Sequence, residues 1–314
     1  MNKTVYACFD IGGTDIKASL LDEEGHFTEK ERFSTNGFCG QTILRGMNEF
    51  IGSHKESLAG IAISAPGFID PFAGTIRVGG AIRDFDGFAM KAYFQEKWRL
   101  PVSVENDVNC VALAEQWNGN GQGVSDFLCF TVGTGIGGAI VIGGNLYRGV
   151  NFQAGEFGYM VSRGIQTTAV DAMWSRIGSL YSIRRVYALE KNIPVEEVSG
   201  EQVFQAKDEG DPIATQIITS FYETIALGIY NLTYMFNPEK ILIGGGITSR
   251  GKFLEEVFEH VRLLGLTDTD MIEICAYQND AGMIGAWRHH LNMYEGKETE
   301  THGRNGTNRI STNQ

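Results

Sequence analysis

Cysteine is scarce and scattered: the 314-residue sequence has five, Cys8, Cys39, Cys110, Cys129 and Cys275. None stands in a C-x-C or C-x-x-C pair, so a cysteine zinc motif is excluded, and the odd number argues against a disulfide framework. Buried free thiols in a reducing compartment are the expectation. Positive charge is also short, with 26 Lys and Arg against 38 Asp and Glu for a net charge of -12. That field repels a nucleic-acid backbone, so no nucleic-acid partner is expected. A single bound nucleotide is still possible, because local amides and a metal can hold it. Met1-Asn2-Lys3-Thr4 leads into a strand-like run with no apolar signal core, which reads as a cytoplasmic protein. Residues 127–147 carry no charge and are long enough to cross a bilayer. Glycines break the run between β-branched stretches, however, so two strands around a glycine turn fit better and no membrane segment is expected.

What is present is an ordinary globular composition, 43% hydrophobic and 20% charged, in a chain long enough for two domains or one large one. An internal echo organises it. Residues 6–10 form an apolar strand, Ile11-Gly12-Gly13-Thr14 a glycine turn, and residues 16–21 a second strand. Residues 127–132, Gly133-Thr134-Gly135-Ile136-Gly137-Gly138 and residues 139–142 repeat that order of strand, turn and strand. Two such hairpins about a domain length apart suggest two similar α/β halves. The expected division is a small N-terminal α/β domain over 1–118, joined by a last helix at about 281–294, and a large C-terminal α/β domain over 119–280. Strands are expected at 61–65, 101–105 and 241–243, and helices at 108–117, within 168–191, and at 211–236 and 253–263. The polar tail, 296–314, is expected to be disordered.

Three glycine motifs compete for a nucleotide. Gly133 to Gly138 spells G-x-G-x-x-G, but a dinucleotide fingerprint needs a helix at its last glycine, and strand-forming Ala139-Ile140-Val141-Ile142 follows instead. Gly246-Ile247-Thr248-Ser249-Arg250-Gly251-Lys252 approaches a P-loop, yet Phe253 stands where the metal-binding hydroxyl belongs. A glycine-rich turn before a helix can still cradle a phosphate or ribose edge. Asp10-x-Gly12-Gly13-Thr14-x-x-Lys17 is stronger. Its glycines admit phosphate oxygens to the backbone, Thr14 adds a hydroxyl, and Asp10 can hold Mg2+ through water. Taken alone it is as compatible with a plain hairpin; the second hairpin tips the balance to phosphate binding.

Together, Asp10-Ile11-Gly12-Gly13-Thr14, Ala65-Pro66-Gly67, Glu105-Asn106-Asp107, Gly133 to Gly138 and Gly155-Glu156-Phe157-Gly158 resemble, in type and order, the ROK family of repressors and sugar kinases. Gly244-Gly245-Gly246 after a strand is similar to the family's adenosine-side motif. The resemblance implies an α/β, two-domain actin-like ATPase (ribonuclease H-like) fold, with ATP and sugar in the cleft between the domains. It makes Asp107 the catalytic base, which would take the proton from a sugar 6-hydroxyl attacking the γ-phosphate of ATP. Asn106, Asp107 and Glu156 would hold sugar hydroxyls near the Gly67 backbone. Asp10, Gly12, Gly13, Thr14, Lys17, Gly133, Thr134, Gly135, Gly137, Gly244, Gly245 and Gly246 would hold ATP and Mg2+. Helix capping by Asn106 or Asp107 is the plainer reading of that pair, and the two roles can coexist.

The departures bear on substrate. Tyr159 stands where the family's kinases usually carry His, no cysteine follows in residues 160–168, and the six histidines form no cluster, so no structural zinc is expected. Asp84-Phe85-Asp86-Gly87-Phe88 stands where N-L-x-G-W is usual, which would alter one sugar contact. Tyr159 could admit an aglycone and stack on it, and the variant resembles a zinc-less subgroup associated with β-glucoside kinases. The expected substrate is a β-glucoside such as cellobiose or gentiobiose, with glucokinase or N-acetylmannosamine kinase as alternatives. A sugar-responsive repressor would need an N-terminal winged helix, and nine residues precede Asp10. Related kinases are often dimers, so the resemblance also allows a homodimer.

Overall fold

The computed structural model describes residues 4–35, 37–162, 164 and 168–294; the polar tail, 296–314, lies outside the described residues. The chain divides into two compact units, Met1–Glu105 with Ala286–Gln314, and Asn106–Gly285.

The first unit runs β1 (Val5–Ile11), β2 (Asp15–Asp22), β3 (Phe27–Ser34), α1 (Gly40–His54), β4 (Leu58–Ala65), β5 (Phe68–Asp70), β6 (Thr75–Val78), α2 (Met90–Trp98) and β7 (Val102–Asn106). Its main sheet has the order β3-β2-β1-β4-β7, with β5 and β6 paired separately. β1 is antiparallel to β2 and parallel to β4, and it is apolar and buried from Val5 to Phe9, as a central strand must be. β3 forms the edge and is charged and exposed over most of its length, which discourages pairing with another chain. Ile43, Met47, Phe50 and Ile51 of α1 recur at helical spacing and bury against the sheet's apolar side chains.

The second unit runs α3 (Asp107–Asn118), β8 (Phe127–Val132), β9 (Ile136–Ile142), β10 (Asn145–Leu146), α4 (Trp174–Ile177), α5 (Leu180–Lys191), α6 (Gly200–Asp208), α7 (Pro212–Phe236), β11 (Lys240–Gly244), α8 (Phe253–Leu263) and β12 (Ile272–Ile274). The last helix, α9 (Ala281–Tyr294), begins in this unit and continues into the first. The sheet order β10-β9-β8-β11-β12 repeats the first sheet's plan of an antiparallel hairpin followed by parallel additions. The echo between the two hairpins is therefore an echo between two sheets.

Sequence pattern places a soft boundary near 118. In the structure Val108 and Ala112 of α3 pack with Phe127, Cys129, Ala139 and Val141 of β8 and β9, so the chain enters the second unit at Asn106. α7 has Asp211 as its cap, with Oδ1 accepting from the Ile213 and Ala214 amides, then Pro212 at the first helical position. It ends at Asn237 in the left-handed conformation. Among the described residues no helix is long and apolar enough to cross a membrane.

Candidate active site

In the first unit, Asp10 and Lys17 are cross-strand partners in the β1–β2 register. Lys17 Nζ donates to Asp10 Oδ2 at 2.9 Å, and Ser64 Oγ, from the neighbouring β4, donates to Asp10 Oδ1 at 2.8 Å. Lys17 thus sits on Asp10, where it offsets the carboxylate's charge. Each Asp10 oxygen keeps a second lone pair, and hard, half-buried oxygens suit a hydrated Mg2+ ion.

Between these strands the chain turns at Gly12, whose amide donates to the Asp15 carbonyl at 3.0 Å; a Cβ at Gly12 would meet that oxygen at 2.9 Å. Gly13 and Thr14 form the exposed tip. Buried Thr35 fastens the turn from behind, its hydroxyl 3.0 Å from the Gly13 carbonyl and 2.8 Å from that of Thr14. Gly67 follows β4 at φ +97°, a conformation that favours glycine, and a Cβ there would meet the Val78 carbonyl at 2.0 Å.

Asp84 Oδ2 accepts from the Gly40 amide at 2.8 Å, and Asp86 Oδ1 accepts from the Gly79 amide at 2.7 Å. These carboxylates fix the start of α1 and the loop after β6. Each acidic residue of Asp84-Phe85-Asp86 thus has a backbone amide as a partner.

In the second unit the hairpin's turn is tighter than its motif suggests. The Gly133 amide donates to the Gly135 carbonyl at 2.9 Å, and β9 already begins at Ile136. Gly137 is a strand residue, where a Cβ would meet Val108 Cγ2 at 2.6 Å. Its smallness lets β9 lie on the first turn of α3, which brings the hairpin beside Asp107. Asn106 caps α3, with Oδ1 accepting from the amides of Val108 and Asn109 at 2.9 and 3.0 Å. Asp107 is the first helical residue and half-buried, and its Oδ1 accepts from the Val108 amide at 2.9 Å. The cap and a half-buried carboxylate thus fall to adjacent residues.

The Gly155-Glu156-Phe157-Gly158 turn is pressed onto β9. A Cβ at Gly155 would meet the Gly138 carbonyl at 2.8 Å, and one at Gly158 the Ile136 carbonyl at 2.1 Å. Phe157 is buried in the core, which fixes the backbone that carries Glu156. Burial pushes the Glu156 carboxyl up to about 7, and the charge of Asp107 adds to the effect. Tyr159, at the end of the same turn, is 56% exposed.

A cavity of about 1050 Å³ in this unit joins Gly133 and Thr134 to Gly246, Ile247 and Arg250. Gly245 stands at φ +93°, against the Val132 backbone, while Gly244 packs between Cys275 and Thr131. The opposite wall is Tyr181 and Arg184 of α5 with the segment leading into α6. Arg184 holds that segment in place by donating to the Val195 and Val198 carbonyls. Sequence reasoning missed this wall. The available signal was Ser199-Gly200-Glu201-Gln202, which forms a reciprocal capping box at the start of α6.

The ROK family model matches residues 6–290. The chain belongs to the ROK family. It is 43% identical to a β-glucoside kinase of Listeria monocytogenes over 286 residues, 91% of this chain and 97% of the relative. Among solved structures, a Listeria monocytogenes protein put forward as an N-acetylmannosamine kinase is 43% identical, with TM-score 0.88, covering 92% of this chain and 99% of that one. A ROK glucokinase of Streptomyces griseus in complex with glucose and AMPPNP is 25% identical, with TM-score 0.75, covering 90% of this chain and 97% of that one. The fold is the actin-like ATPase fold expected from the motifs.

Proposed function

We propose that this chain is a cytoplasmic, ATP-dependent sugar kinase that transfers the γ-phosphate of ATP to the 6-hydroxyl of a β-glucoside such as cellobiose. The observation that carries the reading is the carboxyl pair of Asp107 and Glu156, set beside a glycine hairpin that also lines a cavity of nucleotide scale. Similarity to a β-glucoside kinase along nearly the whole chain supports the choice of sugar.

Asp107 accepts the proton of the 6-hydroxyl as that oxygen bonds to the γ-phosphorus and the bond to the β-phosphate oxygen breaks, leaving ADP. Asn106 and Glu156 orient the sugar, a neutral Glu156 donating a hydrogen bond that an ionised one cannot. The amides of Gly13 and Thr14 in one turn and of Thr134 and Gly135 in the other receive phosphate oxygens, and the cavity at Gly246 takes the nucleoside. Mg2+, held through water at Asp10, offsets phosphate charge when bound. Tyr159 offers its exposed ring to the aglycone.

Coupled ADP detection with glucose, cellobiose, gentiobiose and N-acetylmannosamine tests the reading. Higher kcat/KM for the disaccharides is expected; a clear preference for glucose would replace the β-glucoside assignment with that of a glucokinase.

A further inference from the structure

Both turns that carry the second unit's site chemistry converge on Ser175. Its Oγ accepts a 2.8 Å hydrogen bond from the Ile136 amide, the first residue after the Gly133–Gly135 turn. A Cβ at Gly135 would lie 2.8 Å from this oxygen, and one at Gly158 would lie 3.1 Å from the Ser175 Cβ. Ser175 therefore bonds to the phosphate hairpin on one side and abuts the Glu156 turn on the other.

The short helix that presents Ser175 is itself anchored. The Trp174 amide donates to the Met160 carbonyl at 2.7 Å, directly after the Glu156 turn. The Trp174 indole is fully buried, and its Nε1 donates to the Thr224 carbonyl of α7 at 3.0 Å. A Cβ at Gly228 would meet the indole at 2.1 Å, so α7 passes hard against the ring. The 25-residue α7, the longest helix of this unit, thus sets the position of Trp174, and Trp174 that of Ser175.

We propose that Ser175 is a positioning residue for phosphoryl transfer, fixing the phosphate hairpin and the Glu156 turn against one helical support; the proposal rests on the kinase reading above. It makes no contact with substrate. Its effect comes through the hairpin amides, which must already point at the phosphate oxygens when charge moves in the transition state, and through Glu156.

The test compares Ser175→Ala, Ser175→Thr and a control in the same unit, Thr233→Val, which removes a hydroxyl bonded within α7 to the Ile229 carbonyl. Steady-state kinetics with MgATP and the preferred sugar is joined to hydrogen exchange of peptides covering 131–142 and 155–162. For Ser175→Ala, kcat falls about tenfold, KM for ATP rises and both peptides exchange faster. Ser175→Thr keeps the oxygen and returns both readouts to within about twofold of wild type, while Thr233→Val leaves both at wild-type values. Wild-type exchange in Ser175→Ala, or wild-type kcat and KM, overturns the proposal. If the wild-type chain phosphorylates no sugar, the kinase reading fails by itself, and exchange alone still decides what Ser175 holds in place.

Discussion

Glu156 feels the charge of Asp107: burial first, and that carboxylate second, push the Glu156 carboxyl up to about 7. Within one unit, a residue set by the turn after β10 is thereby tied to one set by the start of α3. The Glu156 proton therefore leaves near neutrality. The expected result is an inflection near pH 7 in kcat/KM for the sugar, which Glu156→Gln removes. Stability follows the same proton. The folded chain holds it from pH 4.5 to about 7 while the unfolded chain has lost it, so stability falls as pH rises through that window. Denaturant melts of wild type and Glu156→Gln should diverge over this range; parallel curves would contradict the pairing.

Asp10 is expected to matter for metal more than for folding. It is partly exposed and its ion pair with Lys17 joins neighbouring strands, so losing the pair costs about 1 kcal/mol or less. Asp10→Asn should leave the thermal midpoint within a few degrees of wild type and raise the Mg2+ concentration needed for half-maximal turnover several-fold. A Mg2+ titration at saturating ATP and sugar checks it; an unchanged half-maximal Mg2+ concentration would remove Asp10 from the metal's surroundings.

His290 sets a separate, acid-side dependence. Its ring is packed against Gly60, where a Cβ would meet Nε2 at 2.3 Å, and its Nδ1 lies 3.0 Å from Ser103 Oγ. Burial, then the charges of His289 and Lys91, bring its pKa down to about 4 from 6.5. Between those values the unfolded chain binds a proton that the folded chain refuses, so stability falls as pH drops through the window, by roughly 3 kcal/mol. His290→Gln should start from a lower stability and show a shallower decline from pH 6.5 to 4. Equal slopes in thermal melts of the two proteins would assign the acid sensitivity to other groups.

The sequence was most informative where a motif and a period coincide. The β1–β2 and β8–β9 hairpins, the strand before Asn106 and the capped helix after it were all legible, because glycine turns separate short apolar runs. Less legible was what each glycine does. Gly137 reads as a phosphate residue, and only three dimensions show that it also packs on Val108. Lys17 reads as a phosphate ligand, and strand register adds Asp10 as its partner. Asp84-Phe85-Asp86-Gly87-Phe88 reads as one altered sugar contact, and the sequence does not show that Asp84 and Asp86 also hold the amides of Gly40 and Gly79. The edge strand β3 and the helix α2 carry too little apolar period to announce themselves. The cavity wall at Arg184 and the anchor at Ser175 depend on long-range contacts that no local pattern encodes.

In the proposed reaction Asp107 is the base that takes the proton of the sugar 6-hydroxyl. Asn106 supplies the cap of α3, so Asp107→Asn should fold and melt like wild type. The measurement is single-turnover phosphorylation of cellobiose by the folded variant. A fall in rate of about 10²–10⁴ with ATP affinity retained is predicted, the usual weight of a general base. A rate within a fewfold of wild type would place the base elsewhere.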